Sequence, residues 1–182
     1  MGGISLYRNI LCMTAVVMAL FMGTALATPR AMTVDDAVIA GIAPGNDLSY
    51  VRSIYGEPDG EKTKRTGNYP THLVDYYGEG FVITYDIFGG AQNPLIQSIE
   101  STNAALVMPS GIHVGMKIAE VQQIFSDIQE PFRRDEKNNQ YTSPRFYVEV
   151  SDEKKGIRTV VFDVDQKGVI QKIFIYDKYG ID

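Results

Sequence analysis

Apolar residues recur along the chain in two registers. Leu48, Val51, Ile54 and Tyr55 follow the i, i+3, i+6, i+7 spacing of one face of a short helix, and Ile118, Val121, Ile124 and Phe125 repeat it. Asn46 or Asp47 is placed to cap the first helix, Gly56 to end it in the left-handed conformation, and Pro58 to prevent its resumption. The second copy has Ser126-Asp127 in place of the glycine stop, with its proline delayed to Pro131. Gly45 and Gly115 precede the helices, where a tight turn or positive φ is expected.

Elsewhere the period is two. His72–Tyr77, Phe81–Ile87 and Pro94–Ser101 read as strands, as do Arg145–Ser151, Ile157–Val164 and Gly168–Tyr176. Short turns between them predict antiparallel meanders with one face buried and the other in water. Phe81, Ile83 and Tyr85 share the core side with Phe146, Val148, Val150, Val160, Phe162 and Val164. The open face is expected to carry His72, Val74 and Tyr76, then Tyr147, Glu149, Ile170, Lys172, Phe174 and Tyr176. Residues 59–71 and 132–144 read as polar connections. Thr33-Val34-Asp35-Asp36 reads as a weak capping box before a short helix at Ala37–Ala40.

These elements repeat. Gly41, Ile42 and Gly45 match Gly111, Ile112 and Gly115, and the helix positions continue the match at an offset of 70. Leu95–Ile99 matches Val169–Ile173 at 74, and Thr84–Ile87 matches Val161–Val164 at 77. The fold class expected is α+β. Two tandem units, 28–103 and 104–182, each place a short helix or helix pair on a three- to four-stranded antiparallel sheet. The linker Thr102–Ser110 is short and partly apolar, so the units are expected to pack as one body.

The string Gly-Ile-x-x-Gly-x-x-Leu-x-x-Val-x-x-Ile-Tyr-Gly-Glu-Pro, Gly41 to Pro58, followed by a meander, resembles the repeat of the beta-lactamase-inhibitor-protein-like fold. It is also similar to the SmpA/OmlA family of small outer-membrane assembly lipoproteins. The first resemblance implies a tandem pair of helix-and-sheet units, the second a single unit in the bacterial envelope. Both rest on glycine, proline and core positions, so they imply fold and location and no inhibitory or assembly residues. The chain departs from both: beyond residue 27 it has none of the cysteines that would form the inhibitor's disulfides, and it has no lipidated amino-terminal cysteine.

The amino terminus agrees with an envelope location. Arg8 precedes an apolar stretch, Ile10–Met22, which ends in Gly23-Thr24-Ala25-Leu26-Ala27. A charged region, an apolar region and small residues before a cleavage point form a secretory signal peptide over 1–27, cleaved near Ala27. The alternative is a retained anchor, since Ile10–Ala27 is 18 residues, just long enough to span a bilayer. Cys12, the only cysteine, falls inside this segment, so the exported chain has no thiol or disulfide chemistry. Past Ala27 there are 16 basic and 22 acidic residues. That balance gives no basic face for nucleic acid and little attraction to anionic lipid.

Candidate chemistry is sparse. His72 and His113 have no His-x-x-x-His or cysteine partners, so no transition-metal set forms. Asp163-Val164-Asp165-Gln166-Lys167-Gly168 starts like a calcium loop, but Lys167 stands fifth and Phe174 twelfth, so a hairpin turn explains it. Ser49, Ser53, Ser98 and Ser143 lack a nucleophile motif, and Asp35-Asp36 and Asp152-Glu153 read as cap and turn charges. Ten of the eleven tyrosines lie past residue 27, and tyrosine on an open sheet face suits a partner surface.

The reading is a periplasmic or secreted, non-catalytic binding protein of the bacterial cell envelope. It takes a protein partner, no cofactor, no nucleic acid and no stable membrane insertion after cleavage. Tyr76, Tyr147, Phe174 and Tyr176 are its candidate binding residues. One alternative is an inhibitor of an extracellular protease or beta-lactamase, with the Asp86–Pro94 hairpin as the inserting loop. A second is an envelope hydrolase with an unrecognised carboxylate site.

Overall fold

The computed structural model describes residues 28–67, 69–87, 89–129 and 144–178, so the expected signal peptide over 1–27 and the connection over 132–143 lie outside the described residues. The centre is one antiparallel sheet. Its strands in chain order are β1 (Gly60–Thr66), β2 (Tyr69–Tyr77), β3 (Phe81–Asp86), β4 (Leu95–Ser101), β5 (Arg145–Asp152), β6 (Gly156–Val164) and β7 (Ile170–Asp177). They lie side by side as β1-β2-β3-β4-β7-β6-β5. Among the described residues there are two short helices, α1 (Leu48–Tyr55) and α2 (Ile118–Ile124).

The expected α+β pair of helix-on-sheet units is therefore corrected to a single seven-stranded sheet with two short helices. The reason lies at the seam. β4 and β7 pair over Ser98↔Tyr176 to Ser101↔Ile173, and Ile99 faces Ile175 there with both fully buried. Two separate sheets would leave these apolar strands as exposed edges, a state native proteins avoid. A single core results, running from Val51 and Ile83 through Ile99 and Ile175 to Val121 and Phe162.

The helices form as their sequences dictate. The Asp47 carboxylate accepts from the Tyr50 amide at 2.7 Å, and Gly56 ends α1 at φ 74°. In α2 the Glu120 carboxylate reaches back to the Lys117 amide at 2.8 Å. Val51, Ile118 and Val121 are buried, but Ile54 is 46% exposed. It sits at the margin of the α1 stripe, about 60° beyond Val51 around the helix.

The repeat survives in matching bonds. Gly45 N–H donates to Ile96 at 2.8 Å and Gly115 N–H to Ile170 at 2.9 Å; Leu48 donates to Pro94 and Ile118 to Gly168, each at 2.8–3.0 Å. Each half also has a β-bulge that leaves one glutamine unpaired, Gln97 opposite Thr84/Tyr85 and Gln171 opposite Asp163/Val164. The second bulge corrects one assignment: Ile170, expected on the open face, is fully buried, because the extra residue flips the alternation. The register also shows that β3 and β6 correspond at an offset of 79, not 77, since Ile83 opposes Ile99 as Phe162 opposes Ile173.

Two polar segments behave differently from expectation. Residues 60–66 form the edge strand β1, invisible to periodicity because the side chains of 61–65 are exposed on both faces. Residues 28–40 form no helix. The Asp36 carboxylate instead accepts from Thr33 N–H and Oγ1 and from both terminal nitrogens of Arg30, closing a turn. Arg30 also lies over Phe125, 4.8 Å from the ring centre, and hydrogen-bonds the backbone beside it. Arg158, on β6, is buried and donates to the carbonyls of Val34 and Pro44 at 2.9 Å. The start of the first half is thereby tied to the second.

Candidate binding face

Strand register places six open-face residues in one row across the sheet. Tyr76 opposes Val82, Val82 opposes Glu100, Glu100 opposes Phe174, Phe174 opposes Val161, and Val161 opposes Tyr147. The seam pairing is symmetric about Glu100 and Phe174, so Tyr76 and Tyr147 occupy equivalent places on either side of it. Three of the four sequence-predicted residues, Tyr76, Phe174 and Tyr147, thus share a row. Tyr76 stands three strands from Phe174, about 14 Å away, and Tyr147 two strands away on the other side, about 10 Å. Tyr176 is in the neighbouring row opposite Ser98, its ring 5.2 Å from that of Phe174. All four are half-buried.

The two sides of the seam differ. On the second half, Arg145, Asp163 and Lys172 form a chain of ion pairs that ends across the seam on Glu100, at 2.8, 3.4 and 3.2 Å. On the first half the corresponding positions are Val74, Thr84 and Ser98. With short, uncharged side chains at these three positions, a groove of about 560 Å³ opens on this face. It is lined by Tyr76, Phe174, Val82 and the largely buried Val74, together with the polar side chains of Lys64, Thr84, Gln97, Ser98 and Glu100. His72, which also lines the groove, has Nδ1 3.0 Å from Thr71 Oγ1.

A polar cluster lies on the opposite, core face. Asp75 is fully buried, with Nη2 of Arg52 3.2 Å from its Oδ2 and neither carboxylate oxygen in a well-formed hydrogen bond. Arg52, from α1, also pairs with Glu57 and with Glu61 at 3.3 Å. Burial pushes the Asp75 carboxyl up to about 6; Arg52 and Tyr85 oppose the rise, while Glu61 and Glu57 add to it. The Tyr85 hydroxyl is buried and raised for the same reason. By register, the second half has Phe146, Val148 and Val164 where the first has Asp75, Tyr77 and Tyr85. Its α2 counterpart of Arg52 is Gln122. Sequence reading missed this cluster, although Asp75, between the open-face residues Val74 and Tyr76, had to point inward.

The other candidates have structural uses. Asp165 Oδ1 accepts from Lys167 and Val169 amides at 2.8 and 2.9 Å, a hairpin turn in place of a calcium loop. The Asp152 carboxylate accepts from Lys154 and Lys155 amides. His113 Nδ1 is 3.0 Å from the Gly111 carbonyl. Ser49 and Ser53 donate to Asp47 and to the Tyr50 carbonyl, and Ser143 lies outside the described residues. The Asp86–Pro94 loop is anchored at its end, where Asn93 accepts from the Ser49 amide at 3.0 Å. Among the described residues no three histidine, cysteine or acidic side chains are placed to hold a metal, and no helix is long and apolar enough to cross a membrane. No protein-family model, curated protein or solved structure matches the chain.

Proposed function

We propose that the chain is an extracytoplasmic, non-catalytic binding protein that holds a partner protein against the first half of its open sheet face. The observation that carries this reading is the groove lined by Tyr76 and Phe174, which lies where Val74, Thr84 and Ser98 replace the second half's Arg145, Asp163 and Lys172. Aromatic side chains bury large area at little entropic cost and anchor protein interfaces. The extracytoplasmic part rests on the signal-like segment Arg8 to Ala27.

The test is affinity capture from envelope extracts with the wild-type protein and with Tyr76→Ala/Phe174→Ala. A partner held by the wild type and lost by the variant supports the reading. A partner held equally by both removes the groove from it, and no partner under varied growth conditions counts against binding altogether.

A further inference from the structure

We propose that the partner binds as an extended acidic segment that adds to the sheet at the outer edge of β1. This rests on the reading of the open face as a binding surface and specifies the chemistry of its occupant. β1 ends the sheet, and among the described residues no strand pairs with its outer side. Such an edge offers main-chain donors and acceptors to an incoming extended chain, whose alternate side chains then fall on one face.

The charge at that edge selects the occupant. Three of the four basic residues of 41–103 fall in β1: Lys62, Lys64 and Arg65. Lys62 and Lys64 pair with Val74 and His72, which places them on the open face; both are exposed. Lys62 lies over the Tyr76 ring at 5.5 Å, and Lys64 lines the groove. The open-face cations Arg145 and Lys172 are held by Asp163 and Glu100. Among the described residues neither Lys62 nor Lys64 has a carboxylate within ion-pair distance. On the core side, Arg52 is already taken by Glu61 and Glu57, so the attraction for an acidic chain comes from the open-face lysines.

A strand with an acidic residue at every second position meets these lysines with one face and leaves its neutral residues for the other. A second copy of this chain would bring lysines against lysines, which is how natural edges refuse themselves. Two lysines in a chain of net charge −5 fall well short of the four to eight that anionic membranes need or the six to ten contacts of a nucleic-acid site.

The experiment uses the purified protein and two fluorescein-labelled twelve-residue peptides. One alternates glutamate with threonine and valine; the other has lysine in place of glutamate. Expected are tighter binding of the glutamate peptide by about tenfold, the effect of two partly screened ion pairs, and weakening as salt rises. The largest amide shifts should fall in β1, and Lys62→Glu/Lys64→Glu should reverse the preference, with Lys62→Gln/Lys64→Gln removing it. Equal affinity for the two peptides, shifts confined to other strands, or no response to the charge reversal would overturn the proposal. The captured partner separates the two readings: if it is lost with Tyr76→Ala/Phe174→Ala but kept with Lys62→Glu/Lys64→Glu, the binding face stands and strand addition falls.

Discussion

Glu100 and Phe174 face each other across the β4–β7 seam, and each is the counterpart of the other, 74 residues apart like every matched position of those two strands. A local two-fold axis therefore passes between them. Directly beside them, Ile99 and Ile175 pair on the core side. Because this contact joins the halves into one sheet over one core, Ile99→Ala and Ile175→Ala should each cost about 2–5 kcal/mol. Thermal melts followed by circular dichroism should show one shifted transition in each variant. Two separated transitions would mean that the halves fold independently.

The buried Asp75 sets a pH dependence of unusual sign. Its carboxyl titrates near 6 in the folded protein, against 3.8 ordinarily, so the folded state holds the proton more tightly than the unfolded chain. Stability should then fall as pH rises from about 4 to about 6, by up to about 3 kcal/mol. Asp36 acts oppositely in a separate window: its hydrogen bonds to Arg30 hold its carboxyl down at about 2, so stability is lost as pH drops below about 4. Urea titrations from pH 3 to 8 should place the maximum near pH 4–5, and Asp75→Asn should flatten the upper limb. An upper limb unchanged by Asp75→Asn would assign it to other groups.

Arg52 and Asp75 should be strongly coupled. Arg52→Gln, which copies Gln122 of the second half, leaves Asp75 without its cation and should cost about 2–3 kcal/mol at pH 8, and less at pH 5, where Asp75 is protonated. Adding Asp75→Val should restore most of the loss. A double-mutant cycle in urea with no coupling would separate the two residues.

Arg158 fastens the segment 34–44 to β6 through three carbonyls, those of Val34, Ala37 and Pro44. Arg158→Met should cost about 2–3 kcal/mol by leaving buried acceptors unpaired. Hydrogen exchange should accelerate first in residues 34–44, and uniform acceleration throughout the chain would argue against a local fastening.

Much of this architecture was legible from residue spacing. The inward sets Phe81, Ile83, Tyr85 and Val160, Phe162, Val164 are all buried, and Asp47 and Gly56 bound α1 as their chemistry suggests. What was not legible depends on pairing between distant residues. β1 has no apolar residue, so no apolar period marks it and its pairing with β2 defines it. Periodicity cannot tell one sheet from two, because the decision rests on Ile99 meeting Ile175. The bulge at Gln171 adds a residue without changing composition and so hid the burial of Ile170. Tyr76, Tyr147 and Phe174 were assignable to a face, but their common row required the register of five strand pairs. The groove beside them required the exchange of Thr84 and Ser98 for Asp163 and Lys172 across the seam.

That exchange has a consequence for stoichiometry. A surface with true two-fold symmetry presents every feature twice and takes a ligand in either direction. Here Thr84 and Ser98 answer Asp163 and Lys172, so the sheet has a polarity running from the β1 lysines to the ion pairs near β5. On the proposed reading, one chain offers a single seat, and its occupant should arrive in one orientation and in a one-to-one ratio.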